Sequence, residues 1–289
     1  MLHADPRVVL GLHQSRHQRH TLEAALDAGI TSLDTAHSYG DFTSHATLAA
    51  RASDLLPRFT TLSTKVGFLP RGRHTLDPAA LRKTIEESVR DLGREPTVIL
   101  LHNPEQSLRK PEEERTRLNF AAACAALQDA ASDGLCSTWG ATSWDPRPLV
   151  ELGDLIGPVP PVLMVPAGLL VPIAVLDASD LLMDRWAVAP ERRWGMSPFR
   201  RRPDDSVWDQ VDPGQFLRDG DGHTRLASAF RVAFGLPDVA AVAVGTDDPE
   251  HVRDLVAALK ATPDPDRLAD YRDALRARIR SWPLPDSED

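Results

Sequence analysis

The property that most constrains this chain is a rhythm. Short apolar, β-branched runs alternate with longer amphipathic stretches along the chain. Residues 7–12 read as a strand and 21–29 as a helix closed by Gly29; a second strand at 30–35 and a second helix at 44–56 follow. Residues 60–66 read as the third strand. Its helix carries the fullest set of signals: Asp77 as N-cap, Pro78 in the first turn, Leu81, Ile85, Val89 and Leu92 at helical spacing, and Gly93 as the stop. Residues 97–101 (TVILL) are a continuous apolar run suited to a strand buried on both faces, and an Ala-rich helix is expected over 112–133. Strands at 137–142 and 161–165 continue the series, with a helix opening near Pro146 and closing at Gly153. Between 171 and 222 the pattern fades, although 193–196 reads as a seventh strand. Order returns with a helix at 224–234, a strand at 239–245, and helices at 249–260 and 265–282.

About eight β/α units in 289 residues imply a parallel sheet with helices outside it, and a closed barrel rather than an open sheet. No GxGxxG loop follows the first strand, which counts against the doubly wound dinucleotide-binding alternative. The expected fold is an α/β (β/α)8 TIM barrel, with residues 1–289 as a single domain.

Charge and composition narrow the function classes. The chain holds 33 Lys+Arg against 42 Asp+Glu, a net charge of −9, and no sustained basic block, so nucleic acid is not an expected partner. The longest uncharged run, before residue 177, is broken by prolines, which argues against a membrane-spanning helix. Residues 1–7 lack the apolar core of a signal peptide, and Cys124 and Cys136 make no disulfide framework; a reducing, cytoplasmic setting is expected.

In such a barrel the C-terminal ends of the strands form the functional face. The second strand ends in Asp34, with Tyr39 five residues on; the third carries Lys65; the fourth runs into His102. Each has an ordinary structural reading: a capping Asp, a packed loop Tyr, a snorkelling Lys, a turn His. Their arrival together from three successive strand ends favours a shared chemistry, proton donation to a carbonyl oxygen. Tyr alone, with a pKa near 10, is a weak acid; a charged Lys beside it favours phenolate, and Asp34 keeps that Lys charged. His102 then shares the proton or holds the substrate oxygen.

The segments LDTAHSYG, STKVG and ILLHNPE resemble, in order and spacing, the Asp, Tyr, Lys and His motifs of the aldo-keto reductases. WGATSWDPRPL, GMSPF and VGTDDPEHVRDLVAAL resemble three later segments of that family, so the likeness covers most of the chain. It implies Tyr39 as general acid, Asp34 and Lys65 as its tuners, His102 as substrate orienter, and hydride transfer from NADPH or NADH to a small carbonyl compound, or the reverse oxidation of an alcohol. It also implies Ser143, Ser197, Gly245 and Thr246 as cofactor contacts.

The cofactor half departs from the family pattern. Trp144 stands where an amide-holding Asn is usual, and Met164 and Ala167 stand where a Gln and a stacking Tyr are common. Asp247 and Asp248, with His251, replace residues that hold a 2′-phosphate, which makes NADH plausible. Arg200, Arg201 and Arg202 are an alternative phosphate anchor or a solvated loop. Two rival readings follow: a non-redox lyase, dehydratase or epimerase that keeps the acid/base set, and a non-catalytic binding protein. His13, His17 and His20 follow the first strand, but no Cys/Asp set completes a tetrahedral metal site; His13, at a strand end, is instead expected to face the pocket. Trp144, Trp186 and Trp194 are candidates for an aromatic substrate wall, with Trp139 assigned to the core.

Overall fold

The computed structural model describes residues 5–200, 206–218 and 222–280. Eight parallel strands close into a barrel: β1 (Asp5–Gly11), β2 (Ile30–Asp34), β3 (Thr61–Val66), β6 (Val98–His102), β7 (Thr138–Thr142), β8 (Leu163–Pro166), β9 (Arg193–Met196) and β10 (Ala241–Val244). They lie around the ring in chain order, and β10 closes it on β1 with Val9 opposite Ala243. Two two-residue strands, β4 (Phe68–Leu69) and β5 (Arg73–His74), form a separate antiparallel hairpin over the mouth, where the sequence shows only a short insert.

Helices α1 (Arg19–Asp27), α3 (Ser44–Ala52), α4 (Pro78–Leu92), α5 (Glu114–Ser132), α6 (Arg147–Glu151), α7 (Ile173–Arg185), α8 (Arg225–Val232), α9 (Pro249–Ala258) and α10 (Pro265–Arg280) surround the strands. One further helical turn, α2 (Tyr39–Phe42), belongs to the mouth. The signals over α4 act as the sequence suggests. Asp77 accepts from the Ala80 N–H at 2.8 Å, a cap worth about 1 kcal/mol, and Gly93 takes φ 69°, the left-handed stop that glycine adopts without a Cβ clash. Ser88 rather than Val89 completes the buried stripe, its hydroxyl donating back to the Thr84 carbonyl.

The strand at 193–196 is present, but the faded region also holds α7, a 13-residue helix that its sequence hides. One core lies between strands and helices and includes Leu33, Ile99, Leu101 and Trp139. A second fills the barrel itself: Val9, Val98, Leu100, Val162, Met164, Trp194, Met196, Ala241 and Ala243. Alternate residues of each strand therefore face inward. That parity decides which side chains reach the open end.

Candidate active site

Along β6, Val98 and Leu100 fill the barrel, so the next inward position, His102, arrives at its rim. The same count puts Asp34 on β2 and Lys65 on β3 at that level, with Gly11, Thr142, Met164, Met196 and Ala243 from the other strands. Together they floor a cleft of about 740 Å³ at the C-terminal mouth. Tyr39 comes from the loop after β2. Its hydroxyl is fixed by an unusual turn in which Gly40, Asp41 and Phe42 all take left-handed φ values of 59°, 52° and 66°. Only the first of these is a glycine, so Asp41 and Phe42 hold a conformation that costs an L-residue roughly 1 kcal/mol or more.

The four residues expected at one mouth meet there. The Lys65 ammonium donates to Asp34 Oδ2, to the Thr35 carbonyl at 2.9 Å and to the Tyr39 hydroxyl oxygen at 3.2 Å. Asp34 Oδ1 accepts from the Ser63 hydroxyl at 2.6 Å. Lys65 and Asp34 are buried, and the Lys65 nitrogen lies 5.0 Å from the centre of the Tyr39 ring. His102 meets the same ring edge-on at 5.9 Å, and His13, exposed at the end of β1, meets it edge-on at 4.9 Å.

Burial is the largest single influence and works against the Lys65 charge, but Asp34 and Tyr39 together outweigh it and the net shift is upward, so the ammonium is retained. For Tyr39 burial raises the pKa and Lys65 opposes that shift; the net direction is up. The sequence suggests an acidity enhanced by Lys65. The structure shows Lys65 pulling that way and desolvation prevailing, so the phenol is protonated at neutral pH. Burial, followed by the Lys65 charge, holds His102 well below its ordinary range, so its imidazole is neutral.

The expected cofactor contacts divide. Ser197 (φ 55°) and Gly245 line the cleft, where a Cβ on Gly245 would come within 3.2 Å of the Gly11 carbonyl. Ser143 lies fully buried beneath the wall formed by Thr142 and Trp144; its hydroxyl is near Glu105 without a well-formed hydrogen bond. Thr246 does not line the cleft and instead accepts from the Asp248 N–H at 3.0 Å. Met164 lines the floor, while Ala167 is wholly buried against Gly195, so β8 presents no ring to the cleft.

The two late aspartates have structural tasks. Asp247 accepts from the Ser15 hydroxyl at 2.8 Å and from Arg16, tying the loop after β10 to the loop after β1. Asp248 caps α9 through the Glu250 N–H. Arg200 lines the cleft and donates to the Leu170 carbonyl; Arg201 and Arg202 lie outside the described residues. The aromatic wall is corrected: Trp144 is 45% exposed on the cleft, but Trp186 is buried in the outer core and Trp194 inside the barrel. Strand parity explains Trp194, which points into the barrel from β9, while Trp186 sits at the C-terminal end of α7 and packs on Phe120.

Three cleft features escaped the sequence. Asn103 follows His102 in a left-handed conformation (φ 54°), a backbone that Asn tolerates, and lines the cleft. Phe68 stacks edge-on with His102 at 4.8 Å. Glu105 Oε1 accepts from the Trp144 N–H at 2.8 Å, fixing the loop that carries the indole; a contact across 39 positions leaves no local pattern to read.

Residues 12–167 match the model of the aldo/keto reductase family, and the chain belongs to that family. The closed parallel barrel and this family match together make the chain an NAD(P)H-dependent oxidoreductase. Similar solved structures include the holo form of an aldo-keto reductase from Bacillus halodurans, at 18% identity and TM-score 0.69, covering 93% of this chain and 91% of that one. An aldo-keto reductase from Klebsiella pneumoniae in complex with NADPH follows at 19% identity and TM-score 0.68, covering 99% and 94%. The glycerol dehydrogenase of Gluconobacter oxydans gives 17% identity and TM-score 0.68, covering 98% and 95%. No curated protein matches the chain by sequence. Among the described residues no helix is long and apolar enough to cross a membrane.

Proposed function

We propose that this protein reduces a small aldehyde or ketone to the alcohol, or runs the reverse oxidation, with Tyr39 as the group that gives and takes the proton at oxygen. The observation that carries this reading is the Lys65 ammonium, bound at once to Asp34, the Thr35 carbonyl and the Tyr39 hydroxyl. A cation held there stabilises the phenolate that proton donation leaves behind. His102, neutral and at the rim, orients the carbonyl oxygen toward the phenol. Phe42, Phe68, Leu69, Trp144 and Phe199 give the cleft an apolar wall, which strengthens each polar interaction beside it.

The nicotinamide supplies the hydride when bound. Ser197 and Gly245, which line the cleft, would contact the dinucleotide, whereas Ser143, buried beside Glu105, would reach the carboxamide only if segment 142–144 shifts. Supporting NADH over NADPH, Asp247 and Asp248 hold carboxylates beside the expected 2′-phosphate position. The buried free thiols Cys124 and Cys136 support a reducing, cytoplasmic setting.

The test is a titration of tryptophan fluorescence with each dinucleotide, followed by turnover of aldehydes. Saturable binding, tighter for NADH, is expected, and Tyr39→Phe is expected to bind the dinucleotide normally while kcat falls by about 10²–10⁴. Tighter binding of NADPH would reverse the coenzyme assignment, and unchanged turnover in Tyr39→Phe would remove the phenol from its role.

A further inference from the structure

Proton bookkeeping at the mouth exposes a gap. In reduction, hydride adds to the carbonyl carbon while the Tyr39 O–H bond breaks and a new O–H bond forms on the carbonyl oxygen. Each turnover therefore leaves a phenolate that must regain one proton from water. Lys65 is poorly placed to deliver it. An ammonium has three N–H bonds, and all three are spent on Asp34, the Thr35 carbonyl and Tyr39. The side chain is 2% exposed, so a proton lent to Tyr39 would not be returned directly from solvent. His102 has the same defect, being buried, with an Nδ1 that finds no partner to continue a chain.

Among the described residues one ionisable group both touches the Tyr39 ring and is open to solvent: His13, just after β1. We propose that His13 is the relay that carries protons between bulk water and Tyr39. This rests on the reductase reading above. In the reducing direction the His13 ring nitrogen nearer Tyr39 gives its proton to the phenolate through one water as the other nitrogen takes a proton from solvent. The imidazole is then neutral with its two nitrogens exchanged in role. A flip of the exposed ring or proton exchange with solvent restores the starting tautomer before the next turnover, and the reverse sequence serves alcohol oxidation.

The groups that face His13 are Lys65 on β3, Asp34 on β2, Tyr39 and His102 on β6. Partial desolvation of the ring and the Lys65 charge lower the His13 pKa, which keeps the ring in the neutral form at pH 7. The relay is distinct from the acid itself: His13 acts through Tyr39, and His102, which meets the same ring, is buried where His13 is exposed.

His13→Phe separates relay from packing, because it keeps an aromatic edge against Tyr39 and removes the nitrogens. Steady-state kinetics of the wild type, His13→Phe and His13→Ala are measured with NADH and an aldehyde, with and without added imidazole, in H2O and D2O. The expectation is that both variants lose kcat by at least about ten-fold, keep KM and dinucleotide affinity within about two-fold, and show an enlarged solvent isotope effect. Imidazole should restore turnover to His13→Ala, whose cavity admits it. Full kcat in His13→Phe, or a loss in His13→Ala that imidazole leaves untouched, overturns the relay alone. Absence of dinucleotide-dependent turnover in the wild type removes the reductase reading, and the relay with it.

Discussion

Lys65 and Asp34 illustrate why a buried ion pair is weak evidence for stability and strong evidence for a task. Two charges taken out of water cost several kcal/mol each, and their attraction repays that only when the remaining bonds are satisfied, as they are here by Thr35, Ser63 and Tyr39. Lys65→Met strands the Asp34 charge and should destabilise the protein by about 3–5 kcal/mol in denaturant unfolding. Adding Asp34→Asn removes the stranded charge, so the double variant should recover most of that stability while turnover stays low. A double variant no more stable than Lys65→Met would show that the pair serves the fold and not the phenol.

At the scale of the element, packing between β7 and β8 gives the sharpest expectation. A Cβ on Gly140 would lie 2.2 Å from the Val162 carbonyl oxygen and 2.7 Å from the Val162 Cβ, so the two strands touch only because that side chain is missing. Gly140→Ala should cost about 1–3 kcal/mol or more and lower Tm by roughly 5 °C. Gly157→Ala, whose Cβ would meet Ala121 at an ordinary 3.5 Å, is the control that should leave Tm nearly unchanged. Equal melting of the two variants would refute the close approach.

Element by element, legibility in the sequence followed how many sides of a segment are buried. Helix α4 has one apolar stripe and clear caps, and its start and stop were readable to the residue. Helix α7 buries Ile173, Val175, Leu176, Ala178, Ser179, Leu182 and Met183 because it packs on β8, α6 and α10 at once. With so much of its circumference covered, its apolar residues lose the 3.6-residue beat, and Pro172 at its start offers no side-chain cap. The site divides likewise. Asp34, Lys65 and His102 were readable because strand parity is local; Trp144's exposure and Glu105's grip on its loop depend on contacts between distant segments.

Across the whole molecule the buried histidines set the response to acid. His45, whose Nε2 meets the Thr64 hydroxyl at 2.8 Å, is held down to about 3 by burial, and His17, His37, His74 and His102 are lowered by the same cause. An unfolded chain takes up these protons near pH 6.5, whereas the folded one resists them until lower pH. Stability is therefore full above about pH 6.5 and falls on acidification, well before carboxylates with ordinary values near 4 titrate. His45 alone should account for a few kcal/mol, at about 1.4 kcal/mol per unit. Urea midpoints should fall between pH 7 and pH 4.5, and His45→Gln should flatten the curve; a constant midpoint in the wild type would contradict it.

The pairing that closes the barrel, β1 against β10, has a consequence for synthesis. His13, Asp34, Tyr39, Lys65 and His102 all emerge from the ribosome within the first 102 residues, yet the ring that aligns them needs a strand that begins at Ala241. Until translation reaches that point, β1 presents an open hydrogen-bonding edge to the cell. The segment that supplies the proposed acid/base residues is therefore synthesised well before the strand that completes the ring around it.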